Sequence, residues 1–340
     1  AAEDLAHVLQ QTHEAFAELR GARIFLTGGT GFFGHWLLES LLHANRELRL
    51  DLRVTVLSRN PAAFAAKSPH LVANPALTLL AGDIASFPFP VDPHTHILHA
   101  ATDSGGQQTS LVPGELASSI LAGTERVLAF AHQTNARRLL YTSTGAVYGR
   151  STTLLHTPES FLQTNTVTLQ PDSYEDAKQK AEALILTHPE LDPVIARCFA
   201  FVGPHLPLDQ HFAIGNFLGA TISGQPIHIK GDGTPRRSWL YMADLVIWLW
   251  TMLSTDTPST IYNVGSDDGM TIAAAAKLTA ATLHPSLPIQ IDGTPIPDAP
   301  LNSYVPNIER ARSELGLTVT IPLDEALRRT ARWHGFTPTR

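Results

Sequence analysis

Apolar positions at helical spacing open the chain: Leu5, Leu9, Phe16 and Leu19 within residues 1–22 predict an amphipathic N-terminal helix packed on the main fold. From residue 23 short apolar or β-branched runs alternate with helical stretches. "RIFLT" (23–27), "LRVTVLSR" (52–59), "LTLLAGD" (77–83), "THILHAA" (95–101), "ARRLLYTST" (136–144) and "DPVIARCFAFVG" (192–203) read as strands. "GHWLLESLLHAN" after the first, "LAGTERVLAFAHQT" before the fifth and "SYEDAKQKAEALILTH" before the sixth read as helices. This βαβα alternation predicts an α/β fold with a doubly wound parallel sheet and helices on both faces.

Beyond residue 203 the rhythm becomes irregular. "GPHLPLDQHF" reads as a proline-rich loop, "IHIKGDGTPRRSWLY" as strand–turn–strand, and "IYNVGSDDG" as a short strand ending in a turn. "NIERARSELGL" and "LDEALRRTARWHG" read as helices. The expected organisation is an N-terminal helix (1–22), a sheet domain (23–202 plus about 236–265), and a smaller interleaved C-terminal substrate-binding lobe (203–235 and 266–340). No repeat, low-complexity tract or long linker interrupts it.

Composition narrows the function. A 340-residue chain with 44% hydrophobic and 16% charged residues describes a soluble globular protein with a substantial core. A formal net charge of −7 leaves no electrostatic footprint for nucleic acid, and the Arg236–Arg237 pair is too small to make one. One cysteine, Cys198, excludes an internal disulfide and fits a reducing compartment, so a cytoplasmic location is expected. No apolar run reaches the ~20 residues that span a bilayer, so no membrane partner is expected. The sixteen histidines show no HExxH or Cys/His spacing, so no metal is expected.

The chemistry is carried by three stretches. In "LTGGTGFFG" (26–34), Gly28, Gly31 and Gly34 lie between a strand and a helix. The first two permit a tight turn and close approach of backbone to a pyrophosphate, the third permits close helix packing, and the helix N-terminus faces the phosphates. This is a dinucleotide fingerprint, and the sheet domain is accordingly of Rossmann type. The second strand ends in Ser58 and Arg59 with no carboxylate, which favours NADP over NAD, and Asp83 closes the third strand at the adenine end. In "PDSYEDAKQK", Tyr174 and Lys178 share one helical face. A phenol with a pKa near 10 becomes a working acid/base beside an ammonium and a positive nicotinamide ring. The fifth strand delivers Ser143 and Thr144 at its carboxyl end, where a hydroxyl can hydrogen-bond the substrate oxygen.

With "TGGTGFFG", "GDI" (82–84), "HAAT" (99–102), "STGAVYG" (143–149), "SYEDAK" (173–178), "GDGTPRRSWLYMADL" (231–245) and "YNVGS" (262–266), the chain resembles the extended short-chain dehydrogenases/reductases that act on nucleotide sugars, the NAD-dependent epimerase/dehydratase family. The motifs run in family order over almost all of the chain after residue 22. The resemblance implies that Thr144 is the active-site hydroxyl, Tyr174 the acid/base and Lys178 the ribose-binding lysine. It implies that Arg237 grips the nucleotide diphosphate, with paired, charge-assisted hydrogen bonds suited to phosphate. It also implies cofactor contacts from Phe32, Phe33, Ile84, Ala100, Ala101, Thr102, Thr142 and Phe201, and a homodimer built on two long helices of the sheet domain.

Departures from the family pattern shape the reaction. Ile120 stands where an Asn is usual, and Ala200 replaces the Asn of the loop near the substrate phosphates. Gly145 and Ala146 occupy the positions where sugar 4,6-dehydratases carry an Asp–Glu pair, while Glu175 and Asp176 are expected to point off the tyrosine's helical face. His205, His211 and Asn216, in the loop 203–216, are further candidates for sugar or nucleotide contact. The reading is reduction of a 4-keto nucleotide sugar. The alternatives are 4-epimerisation with a retained cofactor, 4,6-dehydration, reduction of steroid or phenolic ketones, and a non-catalytic dinucleotide sensor.

Overall fold

A computed structural model of the chain describes residues 2–101, 113–149, 152–209 and 212–337. Seven strands, β1 (Arg23–Thr27), β2 (Arg53–Ser58), β3 (Leu77–Ala81), β4 (His96–His99), β5 (Arg138–Thr144), β6 (Pro193–Cys198) and β7 (Ile261–Val264), form one sheet in the order β7-β6-β5-β4-β1-β2-β3. All neighbouring pairs are parallel, with Leu26 beside both Val56 and Leu98 and Thr144 beside Cys198. β1 and β5 are buried along nearly their whole length, as central strands of a sheet covered on both faces must be. The order reverses between β1 and β4, which opens a crevice at their carboxyl ends.

The main helices are α1 (Ala2–Gln11), α2 (His13–Glu18), α3 (Phe32–Leu48), α4 (Pro113–Gln133), α5 (Tyr174–Leu186) and α6 (Met242–Ser254). Alternate residues of β1 serve the two faces. Ile24 and Leu26 join the core beneath α3 and α6, while Phe25 joins the core beneath α4 and α5. No helix among the described residues is long and apolar enough to cross a membrane.

Three sequence expectations change. The N-terminal segment is two helices broken at Thr12, whose hydroxyl bonds back to the Val8 carbonyl at 2.6 Å. Its buried positions in α1 are Asp4 and Val8, not Leu5 and Leu9, because Asp4 is paired with Arg329 at 2.7 Å. The run "IHIKGDGTPRRSWLY" is no hairpin. Its pieces Ile227–Ile229, Arg236–Arg237 and Leu240–Tyr241 pair in three different small sheets, separated by glycines and Pro235. The sixth predicted strand stops at Cys198, and Phe201–Val202 pairs instead with Leu240–Tyr241. The sequence reading also missed α6, which is buried on nearly every side and so has no polar face to give it a period.

Candidate active site

The loop after β1 shows which glycines the protein needs for itself. At Gly28 φ is +75° and an added Cβ would lie 2.5 Å from the Ala100 carbonyl oxygen; at Gly34 it would lie 2.2 Å from Gly29. Both are enforced by packing. Gly31 differs, because it is exposed and a Cβ there meets only the Gly28 oxygen at 3.5 Å, an ordinary contact. Gly31 is also the N-cap of α3, a helix with no side-chain cap and no acidic residue in its first turn. Its amides and positive dipole end face open space at the switch point, and these residues fit a dinucleotide pyrophosphate. Gly31→Ala is therefore expected to leave the melting temperature nearly unchanged and to weaken dinucleotide binding roughly tenfold or more, measured by thermal unfolding beside a binding titration. Equal affinity in the variant would remove the pyrophosphate from this loop.

Behind the loop, Thr27 and His99 tie β1 to β4. The Thr27 hydroxyl accepts from the Ala101 amide at 3.0 Å, so it donates to His99 Nδ1 at 2.8 Å. His99 Nε2 then donates to Thr124 at 3.4 Å. Burial, with Lys178 nearby, lowers the His99 pKa to about 3, so the imidazole is neutral.

The other residues expected at the cofactor divide by role. Phe32 and Phe33 are half-buried at the start of α3, and Phe33 meets Phe201 edge-on with ring centroids 5.0 Å apart. Ser58 is buried and its hydroxyl accepts from the Asn60 amide at 3.2 Å, while Arg59 is exposed at the end of β2. Asp83 shapes its own turn by accepting from the Ala85 amide at 2.9 Å. Ile84 packs against Gly123 of α4, where a Cβ would come within 2.7 Å. Ala100 and Ala101 line the exit of β4; Thr102 lies outside the described residues.

Thr144, Tyr174 and Lys178 come together at the carboxyl end of β5. Ser173 caps α5 by accepting from the Asp176 amide at 3.2 Å, which makes Tyr174 the first helical residue and places Lys178 one turn later. The phenol lies near enough to the Thr144 hydroxyl for that hydroxyl to oppose the rise in its pKa. Lys178 Nζ donates to the Thr142 carbonyl at 2.9 Å and stands 5.9 Å from the Tyr174 ring centre. Burial pushes the Tyr174 phenol well above its ordinary range, and Tyr304 and Glu175 add to the rise. Burial lowers Lys178 to about 7. The chain's own groups thus favour the protonated phenol. Glu175 departs from expectation: it is buried and near enough to raise both Tyr174 and Tyr304. Asp176 does turn away, to pair with Lys180 at 2.8 Å.

Tyr304 is the residue the sequence reading missed. Its hydroxyl is 3.4 Å from the Thr144 hydroxyl, its ring lies 4.7 Å from that of Phe199, and the Arg237 guanidinium stands 5.8 Å from its centre. It stands between the Thr144 hydroxyl and the Arg237 guanidinium. The only local signal was a lone aromatic in "NSYVP", with no period to mark it. Arg237 is half-buried and donates to Asn302 at 3.2 Å. Phe199 explains Gly145, since a Cβ there would lie 2.7 Å from its ring, leaving no room for a carboxylate beside Thr144.

The loop candidates do not converge on this site. His205 stacks between His35 and Trp333, with centroids 4.5 and 4.6 Å away, which makes it a packing residue. Asn216 is exposed on the helix Ala213–Ile222, and among the described residues no hydrogen bond links its side chain to Thr144 or Arg237. His211 lies outside the described residues.

A buried ionic network holds α5 in place. Glu182 of α5 takes hydrogen bonds from Ser143 and from Arg197, the latter at 2.6 Å. Arg197 donates to the Tyr148 hydroxyl at 2.8 Å, which donates to Asn263 of β7 at 2.8 Å. Removing one partner leaves a buried charge uncompensated, a cost of about 3–5 kcal/mol.

Residues 24–265 match the family described as NAD dependent epimerase/dehydratase. Among curated proteins, UDP-glucuronic acid decarboxylase 1 of Arabidopsis thaliana is 28% identical over 90% of this chain and 68% of its own length. UDP-glucuronic acid decarboxylase 5 of the same plant is 27% identical over 90% of this chain and 87% of its own. Among solved structures, a UDP-glucose 4-epimerase from Thermotoga maritima, crystallised with UDP-glucose, superposes with a TM-score of 0.74 at 18% identity over 92% of this chain and 98% of that one. WbmG of Bordetella bronchiseptica, in complex with NAD and UDP, gives 0.70 at 20% identity over 92% and 93%. The chain belongs to the NAD-dependent epimerase/dehydratase family.

Proposed function

We propose that the chain transfers hydride at C4 of a nucleoside-diphosphate hexose and reduces a 4-keto sugar. The observation that carries this reading is the convergence of Thr144, Tyr174 and Lys178 at the carboxyl end of β5, with Lys178 one helical turn behind the tyrosine. In the reducing direction Tyr174 gives its proton to the carbonyl oxygen, so a half-buried phenol held protonated is in the right state. Thr144 donates to the same oxygen, and Lys178 orients the dinucleotide ribose. A dinucleotide held by its pyrophosphate at the α3 N-terminus would supply the hydride from a nicotinamide beside Tyr174 and Lys178. Arg237, behind Tyr304, takes the substrate diphosphate as a guanidinium fork.

Epimerisation is the second reading, supported by the shared fold with the Thermotoga maritima 4-epimerase. Decarboxylation of a nucleotide uronate is the third, supported by the sequence relatives. It starts from the same C4 oxidation, since a β-keto acid readily loses CO2. Dehydration is disfavoured by Phe199 against Gly145 and by Ala146. Tyr174 and Lys178 argue against a non-catalytic sensor.

The test supplies NADPH or NADH with a panel of nucleotide sugars and their 4-keto derivatives, and identifies products by NMR. Stoichiometric NADPH consumption with a 4-keto sugar is expected. Interconversion of UDP-glucose and UDP-galactose without net cofactor change, or CO2 release from UDP-glucuronate, would replace reduction by the second or third reading. The preference for NADP rests on Ser58 and Arg59. Arg59→Ala is expected to weaken NADPH about tenfold more than NADH, and equal losses in fluorescence titrations would withdraw it.

A further inference from the structure

The amino ends of the strands, opposite the crevice, carry a different cluster. α4 ends at Gln133 and α5 at Leu186, both at the amino ends of the strands they feed. There His132 Nε2, His188 Nδ1 and Glu190 Oε1 converge. His132 and His188 are 3.0 Å apart, His188 and Glu190 3.2 Å, and His132 and Glu190 3.4 Å. These atoms meet all together, and the described residues hold no other such group of three.

Hydrogen bonding alone does not satisfy the triangle. If both imidazoles donate to Glu190, their two N–H groups face each other across 3.0 Å. If one imidazole instead accepts from the other, the accepting lone pair faces the carboxylate, across 3.2 Å at His188 or 3.4 Å at His132. A cation at the centre would satisfy all three lone pairs at once. A tetrahedral ion with bonds of ~2.0–2.1 Å sets its ligand atoms ~3.3–3.4 Å apart, close to this spacing. The helices contribute as well, because α4 and α5 both turn their negative dipole ends toward the cluster.

We propose that His132, His188 and Glu190 bind a divalent transition-metal ion, with Zn2+ the ion that the donors favour. Two imidazoles and one carboxylate suit Zn2+, whereas Mg2+ and Ca2+ call for oxygen donors throughout. Side-chain exposures of 41%, 29% and 54% leave a way in and a fourth position for water. The ion would clamp the carboxyl ends of α4 and α5. Tyr174 opens α5 and His188 lies just past its far end, so about 20 Å of helix separates this ion from the chemistry. The sequence reading expected no metal because His132 and His188 are far apart along the chain and only the sheet brings them together.

The test uses the full chain without a polyhistidine tag, stripped with a chelator and titrated with Co2+ and then Zn2+. One equivalent of Co2+ is expected to give the visible absorption of a four-coordinate site, and Zn2+ to displace it. Saturating Zn2+ is expected to raise the melting temperature by roughly 3 °C. His132→Asn and Glu190→Gln, both at exposed side chains, should each weaken binding about tenfold or more, with circular dichroism unchanged. Lack of saturable binding up to about 100 μM metal, or binding that survives His132→Asn combined with His188→Asn, overturns the proposal.

Discussion

Tyr174→Phe is expected to lower turnover by roughly 10²–10⁴-fold while cofactor affinity stays within about twofold. The substitution removes one oxygen and keeps the ring, so the packing around it is retained. It removes the phenol that stands beside Thr144 and one helical turn from Lys178. Proton transfer to the substrate oxygen then falls to water, while the proposed pyrophosphate site at Gly31 and the proposed ribose contact at Lys178 remain. The measurement is single-turnover kinetics beside a fluorescence titration of the dinucleotide. Retained activity would remove Tyr174 from the chemistry; lost affinity would show that it serves binding instead.

Lys178→Met is expected to cost activity and gain stability. In the folded chain burial lowers the ammonium to about 7, against an ordinary value of 10.5. Between those pH values the unfolded chain binds a proton that the folded chain does not, so stability rises with pH at about 1.4 kcal/mol per unit. Below about pH 7 both states are charged and that slope vanishes. The variant lacks the slope. At pH 7 it is expected to be about 2–4 kcal/mol more stable than the parent, since the desolvation cost exceeds the value of the hydrogen bond to Thr142. Turnover should fall roughly 10²-fold or more, because a misplaced ribose misplaces the hydride. Urea unfolding of both proteins from pH 6 to 10 checks this, and a variant with the parent's pH slope would show that Lys178 is not the group being titrated.

The sheet was legible because parallel strands with crossover helices leave period and punctuation in the sequence. β1 to β6 lie where their apolar runs lie, and Thr144, Tyr174 and Lys178 converge as the motifs implied. The lobe was less legible, because its strands are two or three residues long and pair with partners far away in sequence. α6 escaped notice because burial on all sides erases amphipathicity. Tyr304 escaped for another reason: its segment is placed by pairings with Arg236–Arg237 and Thr152, far away in sequence, that no local pattern encodes. Glu175 was misjudged because helical phase alone could not show how deeply the first turn of α5 is sunk.

The chain leaves the sheet after β6, builds part of the lobe, and returns to lay β7 along the outer edge before building the rest. The lobe therefore cannot be exchanged as a cassette. Cutting at a single junction near residue 203 would strip the sheet of its edge strand and leave Arg197 and Tyr148 without Asn263. A chimera that exchanges the segments around β7 needs three junctions, one near residue 203 and one on each side of the stretch that carries α6 and β7. Diversification of such a lobe in place, by loop replacement and point change, meets no such obstacle.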